Sequence, residues 1–416
     1  MPRFLSRFLV VLFVVLGALG SVIATQLVIA APTMAQTAAP PPEVCSWLDC
    51  KVAAASYSQD DFRNIDPNGE FSCHTELVNA GLRGTFHYDG STGPDWLTTL
   101  SNEGHEIGSH LVDHNGNCND VPACAPSCTA ESLLQIPYTI TDVNDFRQAQ
   151  LDPNVAAIES RTNKPVLSAA WTCGNTDARR MAAADYYFLG ARGYFDSYTN
   201  NFTWVYDINT AIPATVMNLN SDTYYNQSLV DKAISEGGWE IVTVHDYCEG
   251  ITALKNISDT VWIAPIGEVL KYIRVRDATQ FSNYVRSGYN IYFDAVHTLG
   301  TFQREQLDGT PLLPIVFDNP VTIRTPIASS TNVITVQRNG TGIEYTVGTI
   351  SGTKYVWFNT PLTVTQHVTI VLDTPTAVSV TNLRTGTTTP DALPLALAAG
   401  IASLGAIVAW QRRRQS

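Results

Sequence analysis

Short runs of Val, Ile, Ala and Phe alternate with amphipathic stretches from residue 51 to about residue 304. Runs at 52–55, 84–87, 104–109, 166–170, 193–195, 239–245 and 290–295 read as strands, and 74–80, 96–103, 132–152, 176–190, 226–237 and 266–275 as helices. This alternation predicts parallel βα units. The expected fold class is α/β, a distorted or incomplete (β/α) barrel over residues 51–305.

The pattern changes after residue 312, where six short runs rich in Val, Ile and Thr (314–317, 321–325, 333–337, 343–347, 354–358 and 368–373) are parted by Gly, Asn, Ser and Pro. They predict a small all-β, sandwich-like domain over 313–373, followed by a Thr-rich stalk, 374–391. The termini read as targeting segments. Arg3 and Arg7 precede a long apolar run, so 1–35 reads as a signal peptide, and 36–50 is a Pro/Ala-rich spacer. Residues 392–411 carry no charge and lead into Arg412-Arg413-Arg414, so 392–411 is expected to span a membrane with 412–416 as a cytoplasmic tail. A sorting signal later removed is the rival to a permanent anchor. Either way the α/β domain is expected outside the cell, at the surface.

The net charge of −13, with no basic stripe, argues against nucleic acid as a partner. All 8 cysteines follow the signal segment, which favours disulfides in an exported chain. Cys173 and Cys248 lie beside the motifs below, and a bridge between them is expected. Cys118, Cys124 and Cys128 offer zinc ligation as an alternative use.

Two clusters carry candidate chemistry. Asp60-Asp61 closes the first strand, and His110-Leu111-Val112-Asp113-His114 follows the 104–109 strand. Two imidazoles and the Asp61 carboxylate suit a divalent ion such as Zn²⁺ and leave a coordination position open for water. Asp60 is then left to accept that water's proton. The pattern describes a metal-assisted hydrolase.

Residues 51–275 resemble the polysaccharide deacetylase (NodB-homology) domain of carbohydrate esterase family 4. The T-F-D-D-G motif is matched by Ser58-Gln59-Asp60-Asp61-Phe62 and H-[ST]-x-x-H by 110–114, behind a Gly104-His105-Glu106-Ile107 lead-in. Leu82-Arg83-Gly84-Thr85-Phe86, Gly190-Ala191-Arg192-Gly193, Val242-Thr243-Val244-His245-Asp246 and Trp262-Ile263-Ala264-Pro265 resemble further family segments, in order. The resemblance implies Asp60 as general base, His245 as general acid, and Asp61, His110 and His114 as metal ligands. Aligning 169–174 with the third motif puts an oxyanion-stabilising N–H on Cys173. It also implies an N-acetylated polysaccharide substrate, with an O-acetylated glycan as alternative.

Three positions depart from the family. Ala170 stands where many members place an arginine that orients the base, leaving Asp60 without that partner; Phe62 replaces a glycine, and Leu111 a hydroxyl residue. These departures leave a weakened, glycan-binding module as a rival. Trp171 and Tyr247 are candidates for stacking on sugar rings, and core packing is an equal expectation. His105 reads as structural, and His87 has no assignable partner.

Overall fold

Ala53–Gln59 is buried along its whole length although it contains Ser56, Ser58 and Gln59. A strand covered on both faces reads as a continuous run rather than an alternation, and here hydrogen bonds satisfy the buried hydroxyls. Ser58 Oγ lies 3.3 Å from the Val242 carbonyl and 3.1 Å from Thr243 Oγ1, and Ser56 Oγ accepts from Trp239 Nε1 at 3.1 Å. The polar residues hid this strand's second half, which the pattern had ended at residue 55.

The structure, a computed structural model, describes residues 40–62, 73–113, 139–174, 178–194, 217–221, 224–245 and 247–380. From Pro41 onward these belong to one compact unit. In chain order the strands of its first part are β1 (Glu43–Val44), β2 (Ala53–Gln59), β3 (Thr85–Tyr88), β4 (Glu106–Ser109), β5 (Ser168–Ala170), β6 (Gly190–Tyr194), β7 (Met217–Ser221), β8 (Trp239–Val244) and β9 (Val261–Ile263). Strands β2 to β8 form one sheet in the order β7-β6-β5-β4-β3-β2-β8, with β9 also paired to β2, and every pairing is parallel. Among the described strands β7 and β8 end the path without pairing to each other. The expected incomplete barrel is therefore seen as an all-parallel, unclosed sheet. β7 and β9 had no counterpart in the sequence pattern.

The second part holds β10 (Thr279–His297), β11 (Val321–Pro326), β12 (Val333–Arg338), β13 (Thr341–Ile343), β14 (Thr346–Ile350), β15 (Thr353–Thr360) and β16 (Gln366–Val380). Two antiparallel sheets, β1-β11-β15-β14 and β10-β16-β12-β13, make up the all-β part. The run at 290–295, expected among the α/β strands, lies within β10 and pairs with β16 instead. The run at 314–317 contributes only a bridge between Phe302 and Ile315, and the start of the expected stalk continues β16 to Val380. A strand's sheet is chosen by its pairing partners, which the local pattern does not name.

One hydrophobic cluster runs without a break from the α/β part (Trp239, Ile241, Leu270) into both sandwich sheets (Phe293, Ile323, Phe358, Ile370). The returning segment is also tied down by Arg304. This buried side chain pairs with Glu159 and donates to the carbonyls of Val166 (3.2 Å), Tyr187 (2.9 Å) and Leu313 (3.0 Å).

Among the described residues two disulfides are seen, Cys45–Cys50 and Cys73–Cys248. The expected Cys173–Cys248 bridge is thus corrected: Cys248 takes Cys73, which folding brings beside it across a separation of 175 residues. Replacing both Cys73 and Cys248 by Ala releases this long loop and should lower stability by roughly 5 kcal/mol on the chain-entropy scale. The shift of the denaturant midpoint under non-reducing conditions measures it.

Among the described residues no helix is long and apolar enough to cross a membrane. The segments 1–35 and 392–411, the tail 412–416, and Cys118, Cys124 and Cys128 lie outside the described residues.

Candidate active site

Parallel register brings the motif residues to one edge of the sheet. Gln59 is level with Val244, so Asp60 and His245 leave adjacent strands side by side. Tyr88 is level with Ser109, Ser109 with Ala169, and Ala170 with Arg192, which carries the edge on through His110 and the turn Thr172–Gly174. Catalytic groups commonly sit at the carboxyl ends of parallel strands.

The chain turns sharply at both motifs. Asp61 (φ 58°) and Leu111 (φ 70°) adopt the left-handed conformation that side chains with a Cβ rarely take. Phe62 and Leu111 show what holds them there, since both are fully buried. Phe62 packs on Phe86 (4.8 Å between centroids) and Trp96 (4.9 Å). The Leu111 carbonyl accepts from Asn154 Nδ2 at 2.8 Å and from the Gly90 N–H at 3.0 Å. Asn154 Nδ2 also reaches the carbonyls of Tyr88 (2.9 Å) and Gly90 (2.8 Å). The departures at residues 62 and 111 are core anchors for the two turns. Asn154 was missed because nothing near it in sequence marks it.

His110 fits the part of a metal ligand. Its Nδ1–H donates to the Ala170 carbonyl at 2.9 Å, which leaves the Nε2 lone pair facing Asp61 Oδ1 at 3.2 Å. Histidine ligands are typically oriented by such a bond from the other ring nitrogen. Burial by itself lowers the pKa of His110, but the Asp60 and Asp61 carboxylates and the Ala170 carbonyl reverse this and raise it. The place between His110 and Asp61 therefore favours a cation. His245 Nε2 lies 3.8 Å from Asp61 Oδ2, and Gln59 Nε2 donates to the His245 carbonyl at 2.8 Å. His114 and Asp246 lie outside the described residues.

Asp60 does have an arginine. Arg192 Nη2 donates to Asp60 Oδ1 in a fully buried ion pair, and His87 Nδ1 lies 3.2 Å from the same oxygen. The expectation that Ala170 leaves the base unpartnered is corrected, because β6 supplies the guanidinium from the position level with Ala170. Burial pushes the Asp60 carboxyl up, but the Arg192 guanidinium and then His110 outweigh it and hold the pKa well below the ordinary carboxylate value. Asp60 is ionised at neutral pH, as a base must be. A charge inside the Gly190-Ala191-Arg192-Gly193 strand was the available signal for this pair.

Trp171 is fully buried and packs on Phe146, so core packing replaces the sugar-stacking role considered for it. Its Nε1 and Thr172 Oγ1 have no hydrogen-bond partner among the described residues, which leaves two buried polar groups beside the third motif. Cys173 lies in the turn Thr172–Gly174, and Tyr247 is 67% exposed, open to a stacking partner.

His74, Glu103 and His105 form a second group, with candidate ligand atoms within 4.8 Å of one another, close enough to share a metal ion. His105 Nδ1, however, accepts from the Gly84 N–H at 3.1 Å, so the neutral ring carries its proton on Nε2. Binding an ion through Nε2 without breaking that bond would require an imidazolate. This agrees with the structural reading of His105.

Comparison with known proteins gives only distant likenesses. No protein-family model matches the chain, and no curated protein matches it. Among solved structures it is similar to a family 4 acetyl xylan esterase from Clostridium thermocellum, solved with cobalt (14% identity, 52% of this chain and 91% of that one, TM-score 0.31). It is also similar to the peptidoglycan deacetylase PdaC from Bacillus subtilis (13% identity, 54% and 94% coverage, TM-score 0.32). A third neighbour is described as a CE4 family pseudoenzyme (15% identity, 52% and 67% coverage, TM-score 0.30). Likenesses this distant leave the chemistry to the chain's own residues.

Proposed function

We propose that this protein is a metal-dependent deacetylase that removes N-acetyl groups from an extracellular polysaccharide. The observation that carries this reading is the buried Arg192–Asp60 pair beside the facing Asp61 Oδ1 and His110 Nε2 atoms. An ionised carboxylate is thereby held next to a place that favours a cation, in the order the family motifs imply.

Asp61 and His110, with His114 as third ligand, are the residues that would hold a divalent ion, zinc by the chemistry of the donor set. Such an ion supplies Lewis acidity toward the acetamide carbonyl and increases the acidity of water. Asp60 takes the proton of the attacking water as the new C–O bond forms. The Cys173 N–H is assigned to the oxyanion. His245 delivers a proton to the nitrogen as the C–N bond breaks, which releases acetate and the sugar amine. Export and surface anchoring through 392–411 complete the proposal, and the two disulfides suit an oxidising compartment.

Acetate release from chitin oligomers, peptidoglycan and acetylxylan, with and without a chelator, tests the reading. Release from an N-acetylated substrate should fall at least about 100-fold on chelation and return with zinc. Preference for acetylxylan would make the enzyme an O-acetyl esterase, and no chelator-sensitive release from any substrate would sink the assignment.

A further inference from the structure

A chain of polar groups, half-buried at Glu106 and buried beyond it, runs from the foot of the parallel sheet to Asp60. At its lower end Glu106 Oε2 accepts from Thr85 Oγ1 (2.8 Å) and the Gly267 N–H (2.7 Å), while Oε1 accepts from Ser168 Oγ (2.8 Å). Thr85 Oγ1 itself accepts from the Ile266 N–H at 2.9 Å, so its own proton is committed to Glu106. Burial raises the Glu106 pKa, and the three converging donors work against it and favour the carboxylate. The Ser168 hydroxyl, having given its only proton to Glu106, presents a lone pair to His87 Nε2 at 3.5 Å.

That lone pair selects the His87 tautomer. With Nε2 protonated, Nδ1 is an acceptor, and it lies 3.3 Å from Arg192 Nη2. Arg192 Nη2 carries two hydrogens: one serves Asp60 Oδ1 and the other His87 Nδ1. The 3.2 Å separation of Nδ1 and Oδ1 then needs no proton between them, because both atoms accept from one nitrogen. Burial and the neighbouring guanidinium push the His87 pKa down to about 4, in keeping with a neutral ring.

The backbone makes room for this arrangement. His87 is level with Gly108 across β3 and β4, and a Cβ on Gly108 would come within 2.4 Å of His87 Cδ2 and 2.7 Å of Nε2. Glycine at residue 108 is therefore what lets the ring lie between Ser168 and Arg192.

We propose that His87 is a positioning residue for Asp60: Glu106 and Ser168 fix it as the Nε2–H tautomer, and its Nδ1 aims Arg192 at the base. Its functional part rests on the deacetylase reading of Asp60, whereas the tautomer does not. The test combines ¹⁵N-histidine NMR of the whole protein with steady-state kinetics. The wild type should show a neutral His87 protonated on Nε2. In Glu106→Gln the amide donates to Ser168, the hydroxyl turns toward His87, and the ring should switch to Nδ1–H.

In the kinetics, His87→Phe should lower kcat roughly 10- to 100-fold with little change in KM. His87→Asn, whose Oδ1 can take the place of Nδ1, should recover most of the loss. A wild-type Nδ1–H tautomer, or one unmoved by Glu106→Gln, overturns the chain even if that variant proves unstable, because the wild-type spectrum decides first. A confirmed tautomer with unaltered turnover in His87→Phe overturns the positioning role alone. Absence of deacetylase activity in the wild type counts against the proposed function and, with it, the positioning role, but leaves the NMR result standing.

Discussion

Asp60→Asn is expected to lower kcat by roughly 100- to 10,000-fold, the range a positioned general base contributes. Asparagine keeps the shape of aspartate and an oxygen for Arg192, so the turn at Asp61 and the facing Asp61 and His110 atoms should persist. The stoichiometry of bound zinc, measured by elemental analysis, should therefore stay that of the wild type. Turnover within threefold of wild type would place the base elsewhere, whereas loss of both zinc and activity would mean the variant had disturbed the ligands.

Arg192→Met is expected to have the largest effect on stability. Breaking a buried ion pair from one side costs about 3–5 kcal/mol, because the remaining charge is left without compensation. The wild-type Asp60 pKa is held below its unfolded value near 3.9, so the pair contributes stability above that pH and loses it as pH falls. Without Arg192, burial raises the Asp60 pKa, and the folded variant is penalised wherever Asp60 must ionise. The stability gap between wild type and variant should thus be widest near neutral pH and shrink below about pH 4. Denaturant midpoints across that range measure it. Adding Asp60→Asn to Arg192→Met should restore part of the loss, and strictly additive effects would show the two residues to be uncoupled.

The two predictions differ in how far the sequence foreshadows them. Asp60 and Asp61 are adjacent, His110 and His114 share a short motif, and a strand leads into each cluster. Such signals survive without tertiary information because the chemistry depends on neighbours in the chain. Arg192 stands 132 residues from Asp60, and its role exists only because β5 and β6 pair with Ala170 level with Arg192. His87, Ser168 and Glu106 lie on three different strands and become a chain only through the register of β3, β4 and β5. The same holds for the Cys73–Cys248 bridge and for β10, whose run of apolar residues fits either part of the molecule until β16 pairs with it.

Sequence alone determined the α/β class, the change to an all-β region, and the candidates for base and metal ligands, since hydrophobic period and motif chemistry are local properties. Tertiary structure decided which charge neutralises Asp60, which cysteines bond, and that Phe62, Leu111 and Trp171 serve the core. Those outcomes depend on which strands lie side by side, and pairing across a parallel sheet joins residues whose separation in the chain carries no signal.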